Sequence, residues 1–172
     1  MTDTEQRARF EAWVQEHMAI LYRVANGFAE GDDRKDLMQE VLLAVWRAVP
    51  AFAGGSKPST FIYKVAHNAA LTWKRGASTY RRHVDLFEAD VSLQPAAAEP
   101  AARDREALEF LYANIRRLAP VDRSLILLHL DGVSYASIAE IHGLTESNVG
   151  ARLSRLRQKL SESMEDLTNE LR

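Results

Sequence analysis

Apolar residues recur every three or four positions along most of the chain, the spacing of one face of an α-helix. Phe10, Trp13, Val14, Met18, Leu21, Tyr22, Ala25 and Phe28 predict a first helix over roughly residues 4–28. Gly31-Asp32-Asp33 breaks it and supplies N-caps for a second, about 33–49, which buries Leu37, Met38, Val41, Leu42, Val45 and Val49. Residues 50–58 read as loop by composition, with Phe52 as an apolar anchor. Ser59 or Thr60 can cap a third helix, 61 to about 75, whose Ile62, Val65, Ala66, Ala69 and Trp73 face a core.

Helical spacing resumes with Leu108, Leu111, Ile115 and Leu118; Pro120 then permits a fresh start before the apolar run 124–130, which Asp131-Gly132 ends. Ser134 stands where an N-cap belongs, Ile138 and Ile141 form an apolar side, and Gly143 can take the left-handed conformation that closes a helix. Thr145 caps the next helix, on which Val149, Leu153, Leu156 and Leu160 make one inward stripe. This is helix, tight turn, helix. No strand-like alternation or repeat stands out. The pattern predicts an all-α chain of two small helical domains, residues 1–84 and 105–172. A flexible acidic linker, 85–104, joins them, holding Pro95, Pro100 and a run of alanines.

Charge changes the picture, because a formal net charge of −2 hides blocks of opposite sign. Residues 51–84 carry six bases (Lys57, Lys64, Lys74, Arg75, Arg81, Arg82) and no acid, whereas residues 85–106 carry six acids against two arginines. From Ser147 to Leu160, Arg152, Arg155, Arg157 and Lys159 again have no acidic neighbour. Ser147, Asn148, Ala151, Arg152, Arg155 and Lys159 form an exposed stripe of small and basic residues that suits a DNA major groove. A two-helix corner with a solvated face is the ordinary alternative, but such faces usually mix signs. Blocks of this kind argue for a polyanion-facing surface.

Other chemistry is thin. With no cysteine there is no disulfide, thiol nucleophile or cysteine zinc site, which fits a reducing compartment. His17, His129 and His142 lack neighbours at metal-ligand spacing, and no nucleophile elbow or phosphate loop occurs, so no enzyme, metal or cofactor is expected. No apolar run approaches the ~20 residues that span a bilayer, and the polar N-terminus is no signal peptide. A cytoplasmic protein without membrane insertion is the expectation.

Four segments, in order, resemble the extracytoplasmic-function (ECF) class of bacterial RNA polymerase sigma factors. Asp36-Leu-Met-Gln-Glu40 with Ala44-Val-Trp46 is similar to the family's DLxQE…AW signature, and Ser59-Thr-Phe-Ile-Tyr-Lys-Val-Ala-His-Asn68 to its TWLYxIAxN segment. Leu118–Leu128, Gly132–Tyr135, Ile138-Ala139 and Val149–Arg155 are similar to its C-terminal domain. Departures fall at Phe61, His67, Thr72, Ser137 and Gly150, where the family often has Trp, Arg, Asp or Asn, Glu and Lys, and they bear on promoter preference.

The resemblance implies roles. Asp36, Gln39 and Glu40, otherwise read as a solvated face, would dock on core polymerase. Lys57, Phe61, Tyr63, Lys64, His67, Asn68, Lys74 and Arg75 would engage the minus-ten element as it melts, since aromatics and amides suit unstacked bases and cations suit phosphates. For Phe61 a place in the core is an equal reading. The stripe from Ser147 to Lys159 would read the minus-thirty-five element. Implied partners are core polymerase, duplex and locally melted promoter DNA, and an anti-sigma factor. A free-standing helix-turn-helix regulator and a helical adaptor are the competing classes; the adaptor leaves the acid-free tract unexplained.

Overall fold

The computed structural model describes residues 1–76 and 102–170, with side chains for 1–75 and 104–163. The linker expected at 85–104 and the basic residues Arg81 and Arg82 lie almost wholly outside them. Among the described residues seven α-helices follow in order: α1 (Asp3–Phe28), α2 (Asp33–Ala48), α3 (Pro58–Gly76), α4 (Ala102–Arg116), α5 (Pro120–Leu130), α6 (Tyr135–His142) and α7 (Glu146–Glu170). A short 3-10 turn, Val49–Ala51, follows α2, and no strand occurs among the described residues.

Local chemistry sets the boundaries. Thr2 opens α1 with a capping box: its hydroxyl accepts from the Glu5 amide at 3.3 Å while its own amide donates to the Glu5 carboxylate at 2.8 Å. The helix bends at His17, whose φ of −118° and ψ of 16° leave the helical region. α3 starts at Pro58, ahead of the Ser59 or Thr60 cap expected, because proline fits a first helical turn where its missing N–H costs nothing. α4 likewise begins at Ala102, so the last three residues of the expected linker form its first turn. Ser134 caps α6 by accepting from the Ser137 amide at 3.2 Å. The Ser134 hydroxyl also donates to that of Ser137 at 3.0 Å, a side-chain contact rather than the bond to the cap's backbone N–H that a capping-box glutamate makes. Gly143 closes α6 at φ 65°, and Thr145 accepts from the Asn148 amide at 3.2 Å to start α7.

Helices α1–α3 form one unit around Leu21, Val24, Leu37, Val41, Ile62 and Ala66, and α4–α7 a second around Ile115, Leu125, Leu128, Ile138, Val149 and Leu153. The two units are packed together, and their apolar residues make one contiguous cluster. At the junction, Gly27 of α1 leaves room for Leu127 of α5, whose Cδ1 would lie only 2.4 Å from a Cβ at position 27. Arg116 of α4 donates to the Asn26 carbonyl at 2.9 Å and pairs with Glu30 at 3.4 Å, and Arg34 pairs with Glu109 at 3.3 Å.

Candidate nucleic-acid interface

On α7, Val149, Leu153, Leu156 and Leu160 point inward, each no more than 8% exposed. That orientation turns Ser147, Asn148, Ala151, Arg155 and Lys159 to solvent. Arg152 differs from its neighbours: it is half-buried, with its guanidinium 3.7 Å from the Asp122 carboxylate of α5. Arg155 and Lys159 have no ion pair among the described residues. The free charge of the stripe is therefore carried by these two. A helix presenting cations, an amide and small residues, braced from behind by α5 and α6, can enter a groove and meet both base edges and phosphates.

Helix α3 is buried on two sides. Toward α1, Phe61 packs in an aromatic cluster, its ring 5.9 Å from that of Trp13 and 5.1 Å from that of Phe52. This is the core reading of Phe61. Toward α5 and α6, Tyr63 and His67 are buried, at 6% and 0% exposure. Burial pushes the Tyr63 phenol well above its usual range, reinforced by a hydrogen bond to Asp131. Burial pushes His67 down to about 3, with His142 adding repulsion. Both residues were expected at minus-ten DNA; here they face protein, and a role at DNA requires the two units to separate. Lys57, Lys64, Asn68, Lys74 and Arg75 remain exposed and form the open side of the acid-free tract.

Between α2 and α3 runs a groove of about 500 Å³ lined by Glu40, Ala44, Arg47, Val65, Asn68, Ala69, Thr72 and Trp73. It joins Glu40 of the expected polymerase-docking set to Asn68 of the expected DNA set. Asp36 and Gln39 lie exposed on α2, and Glu40 is half-buried at the groove. Trp73, placed by its spacing in the core, is only half-buried and opens on the groove beside Asn68. Sequence spacing could not find it, because an aromatic at a helical apolar position is ordinarily mostly buried. Trp46 is half-buried against Phe10, ring centres 5.4 Å apart. No group of acidic, histidine or cysteine side chains able to hold a metal exists among the described residues.

Known proteins carry the same two units in the same order. Residues 10–79 match the family Sigma-70 region 2, and residues 103–160 match Sigma-70, region 4. The ECF RNA polymerase sigma factor SigG of Mycobacterium tuberculosis is 28% identical over 177 residues, covering 89% of this chain. The chain belongs to the ECF sigma factors. It spans 47% of the length of SigG, but 89% of the RNA polymerase sigma factor YlaC of Bacillus subtilis, to which it is 26% identical over 90% of its own length. The ECF sigma-E factor of Escherichia coli K12 is 25% identical, with 95% of this chain and 90% of that protein covered. Two solved structures share the fold: CnrH in complex with the cytosolic domain of CnrY, and the sigma factor RpoE in complex with the anti-sigma factor NepR from Bartonella quintana. CnrH aligns at TM-score 0.65 and 21% identity, over 93% of this chain and 90% of its own. RpoE aligns at 0.61 and 24%, over 90% of this chain and 98% of its own. No described helix of this sigma factor is long and apolar enough to cross a membrane.

Proposed function

We propose that this sigma factor directs core RNA polymerase to specific promoters and helps to open them. Residues 147–160 of α7, which hold no acid and leave Arg155 and Lys159 without an ion pair among the described residues in a chain of net negative charge, carry the reading. In it, α7 reads the minus-thirty-five duplex, and Lys57, Lys64, Asn68, Lys74 and Arg75 meet the minus-ten region. Asp36, Gln39 and Glu40 dock on the polymerase. Strand opening then draws on binding energy for unpaired bases and needs no catalytic residue or cofactor. An anti-sigma factor, as in the NepR complex, is an expected partner, and the cytoplasm the expected compartment. A free-standing helix-turn-helix regulator would leave the region 2 unit without a task.

Purified core polymerase provides the test: the chain should bind it and confer promoter-specific transcription, and failure of both would reject the assignment. An Asp36→Lys/Glu40→Lys variant should lose about tenfold or more in polymerase affinity, since reversed charges across an interface repel. Its thermal midpoint should move little, because neither carboxylate makes an ion pair among the described residues.

Asn68→Ala should leave duplex binding intact but reduce permanganate reactivity of unpaired thymines in the open complex, as extruding a base costs a few kcal/mol and recapture returns only ~1–3 kcal/mol per base. A template already mismatched at the minus-ten bases should partly restore it. Equal loss on both templates would make Asn68 a structural or duplex contact.

A further inference from the structure

The junction between the two units is built unlike the cores on either side of it. Ser124 of α5, fully buried, has its hydroxyl 2.6 Å from Nδ1 of His67 on α3 and 2.8 Å from Nε2 of His142 on α6. One hydroxyl holds a single hydrogen, so it donates to one imidazole and accepts from the other. His67 Nε2 is buried with no hydrogen-bond partner. Beside this chain, Asp131 at the end of α5 pairs with Arg23 of α1 and accepts from the Tyr63 hydroxyl of α3, its side chain only 3% exposed. Arg123 of α5 stacks its guanidinium 5.7 Å from the Phe28 ring centre.

Polar groups so placed make a junction whose stability depends on keeping every pair intact. Its apolar part includes one close fit, Leu127 into the space left by Gly27. A permanent interface of this size would gain more from apolar side chains than from two buried imidazoles sharing one hydroxyl. What the junction covers is the α3 face carrying Tyr63 and His67, while the outer face of α7 stays open.

We propose that the His67–Ser124–His142 chain and the Arg23–Asp131–Tyr63 cluster form an intramolecular latch, holding the sigma factor in a closed form that withholds α3 from promoter DNA until the two units part. The inference rests on the promoter-opening function above and adds to it a restraint built into the chain itself. In the closed form α7 can still meet duplex DNA, so the latch acts on opening rather than on first recognition. Ser124→Ala leaves both imidazoles without their shared partner, and Gly27→Leu drives a side chain into Leu127 while suiting a helix better than glycine.

The absence of cysteine permits a direct test in the full chain. Spin labels on Lys35→Cys of α2 and Arg157→Cys of α7, both exposed, report the separation of the units by pulsed electron resonance. The unsubstituted junction should give one short distance. Ser124→Ala and Gly27→Leu should each shift the population to longer distances with helix content retained. Without labels, both should raise promoter opening at limiting sigma factor by roughly fivefold or more. Unchanged distances in both folded variants overturn the latch, as do longer distances without any gain in opening. Loss of core polymerase binding by the parent chain would instead reject the promoter-opening function, whatever the distances show.

Discussion

Arg155→Ala is expected to weaken promoter binding by ~1–3 kcal/mol, roughly five- to 150-fold, with a larger effect than Arg152→Ala. Both arginines lie on the same helix and neither their type nor their spacing separates them. Their surroundings do. Arg155 is exposed and has no ion pair among the described residues, whereas Arg152 is half-buried with its guanidinium 3.7 Å from Asp122. A guanidinium held by a carboxylate must give up that pair before it can meet a base or a phosphate. If Arg155 reads a guanine edge, its loss should relax preference at one position. If it holds phosphate, all sequences should weaken alike and the salt slope should flatten by ~1. Binding to a promoter series at several salt concentrations distinguishes the two. Equal effects of Arg152→Ala and Arg155→Ala would show that the Asp122 pair does not restrain Arg152.

Much of this arrangement is legible in the sequence because it is local. Ser134, Gly143 and Thr145 cap and close helices through hydrogen bonds three residues apart or a left-handed turn, and all three are where their chemistry places them. The stripe from Val149 to Leu160 states which side of α7 is buried, and so which side is free. The junction is not legible in that way. His67 and Ser124 are 57 positions apart, and nothing near either residue announces the other. His142, isolated along the chain, joins them only in three dimensions. Helix α3 compounds the difficulty: it buries one side against α1 and α2 and another against α5 and α6. Periodicity marks its apolar residues without revealing that Tyr63 and His67, polar enough to read as DNA contacts, are also covered. Trp73 errs in the opposite sense, an apolar residue left open beside Asn68.

Acid should loosen the closed arrangement before it unfolds either unit. Burial holds His67 at about 3 in the closed form and draws His142 down as well, with Arg152 adding repulsion at the latter. In a separated form each imidazole returns toward its ordinary value near 6.5. A histidine depressed by burial stabilises the closed form fully above that ordinary value. It loses the contribution as pH falls toward the closed-form value, because protons then favour the separated state. For His67 alone the shift is about 1.4 kcal/mol per pH unit below 6.5, or ~2 kcal/mol at pH 5. The groups nearest the imidazoles are Arg23 on α1, Tyr63 on α3, Arg123 and Asp131 on and after α5, and Arg152 on α7, while Arg34, Glu30, Glu109 and Arg116 pair elsewhere along the junction. Burial raises Asp131, so its protonation favours the closed form and offsets the histidines at lower pH. The window that isolates the imidazoles is therefore pH 7 down to 5. Over it, the closed population in the spin-label experiment should fall about thirtyfold relative to the separated one. His67→Gln should flatten that dependence to whatever His142 supplies. A closed population that holds constant from pH 7 to 5 would mean that His67 stays buried when the units part, and that its environment belongs to the first unit alone.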